Sequence, residues 1–600
     1  MTIRTIILGM LLSIILGAAN AYLGLFAGMT ISASIPAAVL SMGILSFFKN
    51  SSIKENNLVQ TSASAGESLA AGIIFTIPAL ILIGAEDGFS GWEKFDYIKI
   101  LLYSLLGGVM GIFFTIPLRK ALIENAKLGY PEGQATAKVL QVGENARKSN
   151  SKETKNDLKL MIVASIAGSI FKLIQSGFSF IAEIFSMSFI AFKSVFAFGI
   201  SLSPALLSVG FIIGRKVALM VFSGGAFAWM ILLPIISNIG GGYETGDSMD
   251  YAYNIWNTKI RYVGVGAMLV GGVWSLLSVF KFIMIGFKSQ KKSDSKNDKR
   301  DIPTKWVIIG MILILLILIP VYNQDAGSLP LSIGLSFLMI FMAFIFSAVA
   351  AYMAGVVGSS SNPISGVTIA TIMFSSLLIL AIKGQNEFGP LLSILIGSVV
   401  CCAAAIGGDN MQDLKTGHII KASPWKQQIM QIVGVISSSL VMGFVIVLLH
   451  NAYGIGDGLK APQANLMKMV SIGIFSNNLP WDMVLIGFGI AILIILYNII
   501  FKQEIYILAV AVGIYLPIEL SIPIAIGGLL ASKVKDTGKG ILLGSGIITG
   551  EALMGILIAV PIFISGNKFW WPKFMSLEIA GLLVFLAFIV WFYINSEKSK

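Results

Sequence analysis

The chain has 600 residues, of which 56% are hydrophobic and 12% charged. A soluble domain carries about 25% charged residues, so a string of water-soluble domains is excluded and the composition is that of an all-α polytopic membrane protein. Lys and Arg exceed Asp and Glu by 42 to 30, but the bases sit in short loops, a pattern that orients a membrane protein and offers no stripe for nucleic acid.

Hydropathy predicts about sixteen spans, with cores near 5–27, 31–48, 60–84, 98–118, 158–180, 196–214, 217–237, 260–286, 306–322, 329–350, 364–383, 389–407, 427–449, 484–501, 541–564 and 575–594. Ala19-Asn20-Ala21 has the look of a signal cleavage site, but the apolar run continues past it, so the first helix reads as uncleaved. The 119–159 loop carries Arg119, Lys120, Lys127, Arg147, Lys148, Lys152 and Lys155. The 287–305 loop carries Lys288, Lys291, Lys292, Lys296, Lys299, Arg300 and Lys305. Both are expected on the cytoplasmic side. The acidic loops 85–97 (Glu86, Asp87, Glu93, Asp96) and 238–257 (Glu244, Asp247, Asp250) are expected outside. This alternation is expected to place both termini in the cytoplasm, and the expected location of the chain is the plasma (inner) membrane.

Residues 505–531 are apolar but break the alternation, because counting them as a span moves Lys533, Lys535 and Lys539 outside. Pro517 and Pro523 each remove a backbone donor. A re-entrant hairpin turning near Pro517 restores the charge pattern. Broken backbone at membrane depth is tolerated inside protein or beside a water-filled cavity, which makes this segment a candidate substrate or ion site. An ordinary kinked span is the alternative.

Two weakly similar halves are visible. Ala21-Tyr22, Gly28 and Pro36 match Ala351-Tyr352, Gly358 and Pro363. Gly66-Glu67-Ser68-Leu69 matches Gly550-Glu551-Ala552-Leu553. The expected organisation is an N-terminal transmembrane half over 1–290, a charged cytoplasmic linker over 291–305 and a C-terminal transmembrane half over 306–600.

Ionisable residues inside spans are costly and mark functional candidates. Glu67 and Glu551 sit among small residues, and Glu519 lies in the broken segment. Asp409 and Asp413 are four apart, on one face if helical. Burial favours the neutral form of a carboxylate and lets it exchange a proton near neutral pH. A salt bridge or a helix cap is the structural alternative for each. Lys415 reads as a partner or an inside anchor. Lys172 and Glu183 lie at membrane depth, three helical turns apart. Cys401 and Cys402 are adjacent and imply no disulfide framework. With two histidines, His418 and His450, and no cysteine cluster, no soft-metal site is expected.

Several blocks together resemble the oligopeptide transporter (OPT) family. They are Asn20-Ala21-Tyr22-Leu23-Gly24-Leu25 through Ser34-Ile35-Pro36-Ala37-Ala38, then Glu55-Asn56-Asn57-Leu58-Val59-Gln60-Thr61 to Gly66. Tyr130-Pro131-Glu132-Gly133-Gln134-Ala135 follows, then Gly407-Gly408-Asp409-Asn410-Met411-Gln412-Asp413-Leu414-Lys415-Thr416-Gly417, Gly513-Ile514-Tyr515-Leu516-Pro517 and Gly550-Glu551-Ala552-Leu553. They run in the family's order from about residue 20 to 565, and are most similar to prokaryotic members related to the yellow-stripe-like branch. The resemblance implies a proton-driven importer of about sixteen spans. Its substrates would be small peptides or metal complexes of amino-acid-derived chelators.

Such substrates carry ammonium and carboxylate groups. Asn20, Tyr22, Tyr130 and Tyr515 could offer neutral polar contacts, and Ser359-Ser360-Ser361-Asn362-Pro363 reads as another helix break with backbone donors. The sequence contains no His-Glu-x-x-His, Gly-x-Ser-x-Gly or Walker A pattern, which argues against a membrane enzyme or an ATP-driven pump. A channel is the more remote alternative and would show a filter or a charge ring. The expected function is a secondary active, proton-coupled symporter of small oligopeptides, with import of metal chelates as the alternative. The coupling candidates are Glu67, Asp409, Glu519 and Glu551, with Asp413 and Lys415 beside them. No cofactor beyond the proton is expected. The expected partners are a small peptide or peptide-like chelate and the lipid bilayer, and the many small residues are compatible with a homodimer.

Overall fold

A computed structural model describes all residues except 29, 31, 49, 85–87, 126–127, 150–152, 240–246, 290–300, 360–361, 363, 477–479, 535–536, 566, 568–569, 575–576 and 598–600. The first helices are α1 (Ile3–Ala27), α2 (Ser34–Leu45), α3 (Ile53–Ile74), α4 (Ile77–Leu82), α5 (Tyr97–Arg119), α6 (Pro131–Ser149) and α7 (Glu153–Lys172). A hairpin of β1 (Ile184–Ala191) and β2 (Ser194–Ser201) leads into α8 (Pro204–Ala226), α9 (Leu233–Ile239), α10 (Ser248–Ile255) and α11 (Arg261–Ser289). Then come α12 (Thr304–Ala326), α13 (Leu329–Val357), α14 (Ile364–Lys383), α15 (Gly389–Ile419), α16 (Pro424–Tyr453) and α17 (Pro462–Ser476). The chain ends with α18 (Trp481–Phe501), α19 (Ile507–Tyr515), α20 (Ile518–Ala531), α21 (Thr537–Ser565) and α22 (Glu578–Glu597).

The protein is an all-α polytopic membrane protein. Among the described residues, twelve helices are long and apolar enough to cross a bilayer, so the expected sixteen is not reached. Part of the difference is physical. The apolar stretch at 31–48 folds as α2, which has 12 residues, whereas a span needs about 20. The predicted span 196–214 begins as strand β2, rich in Val, Phe and Ile with Ser at both ends, and hydropathy cannot tell such a run from a helix. The expected break at 505–531 is present. Leu516 and Pro517 are extended between α19, of 9 residues, and α20, of 14.

The chain packs as two compact units, Met1–Lys159 with Ser275–Asn477 and Leu160–Trp274 with Asn478–Lys600. Each half of the sequence therefore feeds the first unit and then the second. Of the expected linker 291–305, residues 291–300 lie outside the described residues.

The first unit is built from two inverted copies. Gly9 faces Ser62 and Gly24 faces Ile74, so α1 and α3 run parallel. Ser347 Oγ donates to the Ala403 carbonyl at 2.8 Å and Gln412 Nε2 to the Ala354 carbonyl at 2.7 Å, so α13 and α15 also run parallel. Gln60 meets Asp413 while Gly72 meets Cys402, so α3 and α15 are antiparallel. The copies exchange equivalent joints. Tyr130 N–H donates to the Gly355 carbonyl at 3.0 Å, and Ala461 N–H to the Leu25 carbonyl at 2.8 Å. Leu25 and Gly355 each follow, by three residues, a tyrosine of the sequence match, Tyr22 or Tyr352. Tyr130 and Ala461 both take left-handed φ values, 54° and 41°, ahead of the prolines that open α6 and α17. Gln134 and Asn465 repeat the pattern, each reaching a backbone carbonyl five residues back, at 2.7 and 2.8 Å.

By this relation the counterpart of α3 is α15. The sequence match of Gly66-Glu67 to Gly550-Glu551 is a different one, since α21 belongs to the second unit. Inversion puts α3 and α15 at the centre, where 89% and 100% of their apolar windows are buried. Wrapped by protein, they can carry side chains that lipid would reject.

The second unit is held by glycine contacts. A Cβ on Gly210 would lie 1.9 Å from the Ile524 carbonyl oxygen, and one on Gly527 would lie 1.9 Å from that of Leu207. Small residues let α8 and α20 approach backbone to backbone, the usual source of helix association where the surroundings are as apolar as the helix. Lys172 and Glu183 are not three turns apart on one helix. The helical run ends at Gly177, and the chain turns so that Lys172 Nζ lies 3.5 Å from the Glu183 carboxylate.

Candidate functional site

Two helix breaks in the first unit each meet a carboxylate from a central helix. The breaks open at Gly28 (φ 69°) and Gly358 (φ 92°), glycines spaced equally after Tyr22 and Tyr352, where the left-handed backbone favours glycine. Gly28 ends α1 with its N–H on the Gly24 carbonyl at 2.9 Å, and Gly358 ends α13 on the Ala354 carbonyl at 3.1 Å.

At the first break, Glu67 Oε2 accepts the Ala33 N–H at 3.0 Å, at the N-cap of α2. Its Oε1 accepts from the Asn20 side-chain amide. One carboxylate thus joins α1, α2 and α3, and it sits where the helix dipole favours negative charge. Asp413 Oδ1 accepts from Ser34 Oγ at 2.8 Å and from the Gln60 amide. Ser34 Oγ lies 3.0 Å from Ser64 Oγ. At the second break, Asp409 accepts from Ser359 Oγ. Asp409 and Asp413 lie on one helix, α15, as their spacing predicts, and they serve opposite breaks.

The three carboxylates are almost fully buried, at 2%, 6% and 0% exposure for Glu67, Asp409 and Asp413. Among the described residues none of them forms an ion pair. Among the described residues, several buried polar side-chain atoms of the same unit have no hydrogen-bond partner: Asp413 Oδ2, both side-chain atoms of Asn410, Asn57 Oδ1, Asn362 Oδ1 and Gln431 Oε1. Native interiors leave few such atoms, and each calls for a reason. A site that takes a proton and a polar ligand supplies one.

The remaining expected residues divide by role. Tyr130 OH donates to the Ala351 carbonyl at 3.0 Å and locks a joint between the copies. Tyr22 is buried, its ring centroid 6.2 Å from Phe26 and 6.0 Å from Tyr453. Lys415 Nζ donates to the Leu128 carbonyl at 2.9 Å. Among the described residues, no His, Cys, Asp or Glu side chains gather as a metal site.

In the second unit, Glu551 repeats the capping found at Glu67. Its Oε1 accepts from Ser203 Oγ and its Oε2 from the Ala205 N–H, both at 2.8 Å, at the start of α8. Beyond the Leu516–Pro517 break, Glu519 Oε1 accepts from Tyr253 OH at 2.7 Å. Before it, Tyr515 OH accepts from Arg261. Arg261, Tyr253, Ser34 and Asn410 were not among the expected site residues, whereas Ser359 opens the break expected at 359–363, of which residues 360, 361 and 363 lie outside the described residues. Arg261 lies two residues after Lys259 and reads in sequence as one more base at a span end. Only packing reveals it as buried, at 8% exposure.

Comparison with known proteins agrees with this architecture. Residues 1–562 match the family described as OPT oligopeptide transporter protein. A Haemophilus influenzae protein named for oligopeptide transport is 32% identical, over 96% of this chain and 100% of its own length. The Arabidopsis thaliana metal-nicotianamine transporter YSL3 is 23% identical over 92% of this chain and 89% of its own. A rice protein named for metal-nicotianamine transport, YSL11, is 24% identical over 96% and 89%. The chain is a membrane-embedded transporter, not an enzyme, and it belongs to the OPT oligopeptide transporter family.

Proposed function

We propose that the chain imports small peptides across the plasma (inner) membrane by proton symport, with both termini in the cytoplasm, and that the buried acids of the first unit carry the proton. One observation supports this above the others. Glu67, Asp409 and Asp413 lie at two helix breaks inside protein and, among the described residues, have no cation. Removing a carboxylate from water without a counter-charge costs several kcal/mol, and a proton is the smallest species that relieves the cost. Broken helices at an inverted-repeat interface are the usual setting of a transporter's coupling site. No cofactor enters this reading.

Peptides are favoured over metal chelates because the relative named for oligopeptide transport has the higher identity and matches over its whole length. The metal-nicotianamine relatives keep a chelate as the second substrate class. Proteoliposome uptake under an inward proton gradient tests both. Purified chain is offered di- to hexapeptides, with and without Fe(III) or Ni(II) chelates, and the vesicle contents are read by mass spectrometry. Free peptide accumulating above its outside concentration, and abolished by a protonophore, is the expected result. Accumulation only in the presence of metal selects the chelate reading. Passive equilibration insensitive to the gradient refutes symport.

A further inference from the structure

An aromatic cluster in the second unit holds three buried N–H donors with no acceptor. Trp229 and Trp256 lie in π-helical turns, Phe227–Leu232 and Trp256–Ile260, a local distortion that recurs at functional sites. Their ring centroids are 5.9 Å apart, and Tyr253 packs on both, at 5.3 and 6.2 Å. The Arg261 guanidinium sits between two rings, with Cζ 4.8 Å from the centre of Trp256 and 4.6 Å from that of Tyr515.

Arg261 donates to Asn257 Oδ1 and to Tyr515 OH, but among the described residues its Nε has no acceptor. The indole N–H groups of Trp229 and Trp256 have none either. Exposure is 8% for Arg261, 1% for Trp229 and 9% for Trp256, so bulk water is not the general answer. Among the described residues Arg261 has no carboxylate within ion-pair distance. A buried guanidinium without an anion is as unusual as a buried carboxylate without a cation.

Three donors and no acceptor select the chemistry of what fits. The missing group is anionic and acceptor-rich. Guanidinium matches a carboxylate with a planar fork, and the aromatic walls suit the carbon skeleton next to it. Tyr253 also connects the cluster to Glu519 through the 2.7 Å hydrogen bond, so a carboxylate of the protein lies one hydrogen bond from the aromatic rings. Donors linked to an acid in this way make a receptor for a molecule that carries both a carboxylate and an ammonium.

We propose that Arg261, with the indole N–H groups of Trp229 and Trp256, binds the carboxylate of the transported substrate. This deepens the transport reading and rests on it. The test uses full-length protein in lipid nanodiscs and radiolabelled trialanine, with trialanine amide as the matched compound lacking the carboxylate. Wild type binds the acid at least tenfold more tightly than the amide, about 1.4 kcal/mol. Arg261→Gln abolishes that preference, because the acid loses its charge-assisted bond and at least tenfold in affinity while the amide loses less. Arg261→Lys restores part of it. Trp229→Phe and Trp256→Phe keep a ring, remove one donor each and narrow the preference several-fold.

Equal binding of acid and amide by wild type overturns the proposal, as does undiminished preference in Arg261→Gln or failure of wild type to bind the acid. If Arg261→Gln does not yield monodisperse protein, the two Phe variants decide, and unchanged preference in both overturns it. Uphill uptake of both compounds with equal affinity would sink this site and leave peptide symport standing. Selective acid binding without uphill uptake would do the reverse.

Discussion

Replacing Asp413 separates its structural work from its charge. Asp413 Oδ1 accepts two hydrogen bonds, from Ser34 Oγ at 2.8 Å and from the Gln60 amide, while Oδ2 accepts none. Asparagine can keep its carbonyl oxygen at the Oδ1 position and put its NH2 where nothing is now bonded. The fold then retains both bonds, and the stability change of Asp413→Asn stays within about 1 kcal/mol. Alanine strips the acceptor from two buried donors. An orphaned buried donor costs roughly 1–3 kcal/mol. Ser34 can turn to Ser64 at 3.0 Å, which softens its share, so Asp413→Ala loses roughly 2–4 kcal/mol in sum. The assay pairs thermal unfolding in matched detergent with uphill peptide uptake. The expected pattern is Asp413→Ala destabilised, and Asp413→Asn near wild type in stability but at least tenfold slower in uphill uptake. If Asp413→Asn unfolds as easily as Asp413→Ala, the oxygen assignment is wrong. If it accumulates substrate like wild type, Asp413 carries no coupling charge.

Four further outcomes follow from local surroundings. Gly527→Ala puts a methyl carbon 1.9 Å from the Leu207 carbonyl, and overpacking should cost roughly 1–3 kcal/mol. Gly489→Ala has nothing within 4 Å and should leave the unfolding temperature unchanged or slightly higher. Tyr130→Phe loses one 3.0 Å hydrogen bond to Ala351, worth roughly 0.5–1.5 kcal/mol, and should leave substrate affinity intact; a changed affinity in the binding assay would move Tyr130 into the site. The Lys172 ammonium holds the Glu183 carboxyl below its ordinary value. Its folded value is depressed, so its stabilisation is present above the unfolded carboxylate range near ~4.3 and is lost as pH falls through the lower folded value. Glu183→Gln should flatten that acid limb of the stability profile, and an unchanged limb would refute the pairing.

Much of this was legible in the sequence, for identifiable reasons. Membrane class, the break at Pro517 and the Tyr22/Tyr352 relation rest on local rules, namely hydropathy, the missing proline donor and the need for glycine at a left-handed position. The acids Glu67, Asp409 and Asp413 announced themselves because lipid excludes charge. The partners did not. Ser34 and Asn410 are ordinary residues for a turn or a packed helix, and only tertiary packing brings Ser34, like Ser359 of the expected break, to a carboxylate and leaves the Asn410 side chain, among the described residues, without a hydrogen bond. Arg261 was hidden by the rule that exposed the others, since a base near a span end is expected at the interface. The hairpin at 184–201 was missed because apolar content does not distinguish strand from helix. The shared Gly-Glu motif at 66–67 and 550–551 pointed to a repeat, but packing pairs α3 with α15. What the two glutamates share is a task, since each accepts one backbone N–H at the start of a helix that begins inside the protein.

That task bears on how a proton could be coupled to movement. A helix beginning at membrane depth leaves backbone N–H groups that lipid cannot satisfy. Glu67 answers the Ala33 N–H and holds the Asn20 amide, and Glu551 answers the Ala205 N–H and the Ser203 hydroxyl. A carboxylate in this position accepts charge-assisted hydrogen bonds, roughly twice as strong as neutral ones. Adding a proton therefore weakens the hold on the helix start in the same step that removes the buried charge. In the proposed reading the acid at the break is both cap and proton carrier, so its occupancy and the position of α2 are thermodynamically linked. Asp409, on the inverted copy, meets its break through the Ser359 hydroxyl, so a proton there also weakens a charge-assisted hold at the start of a broken segment.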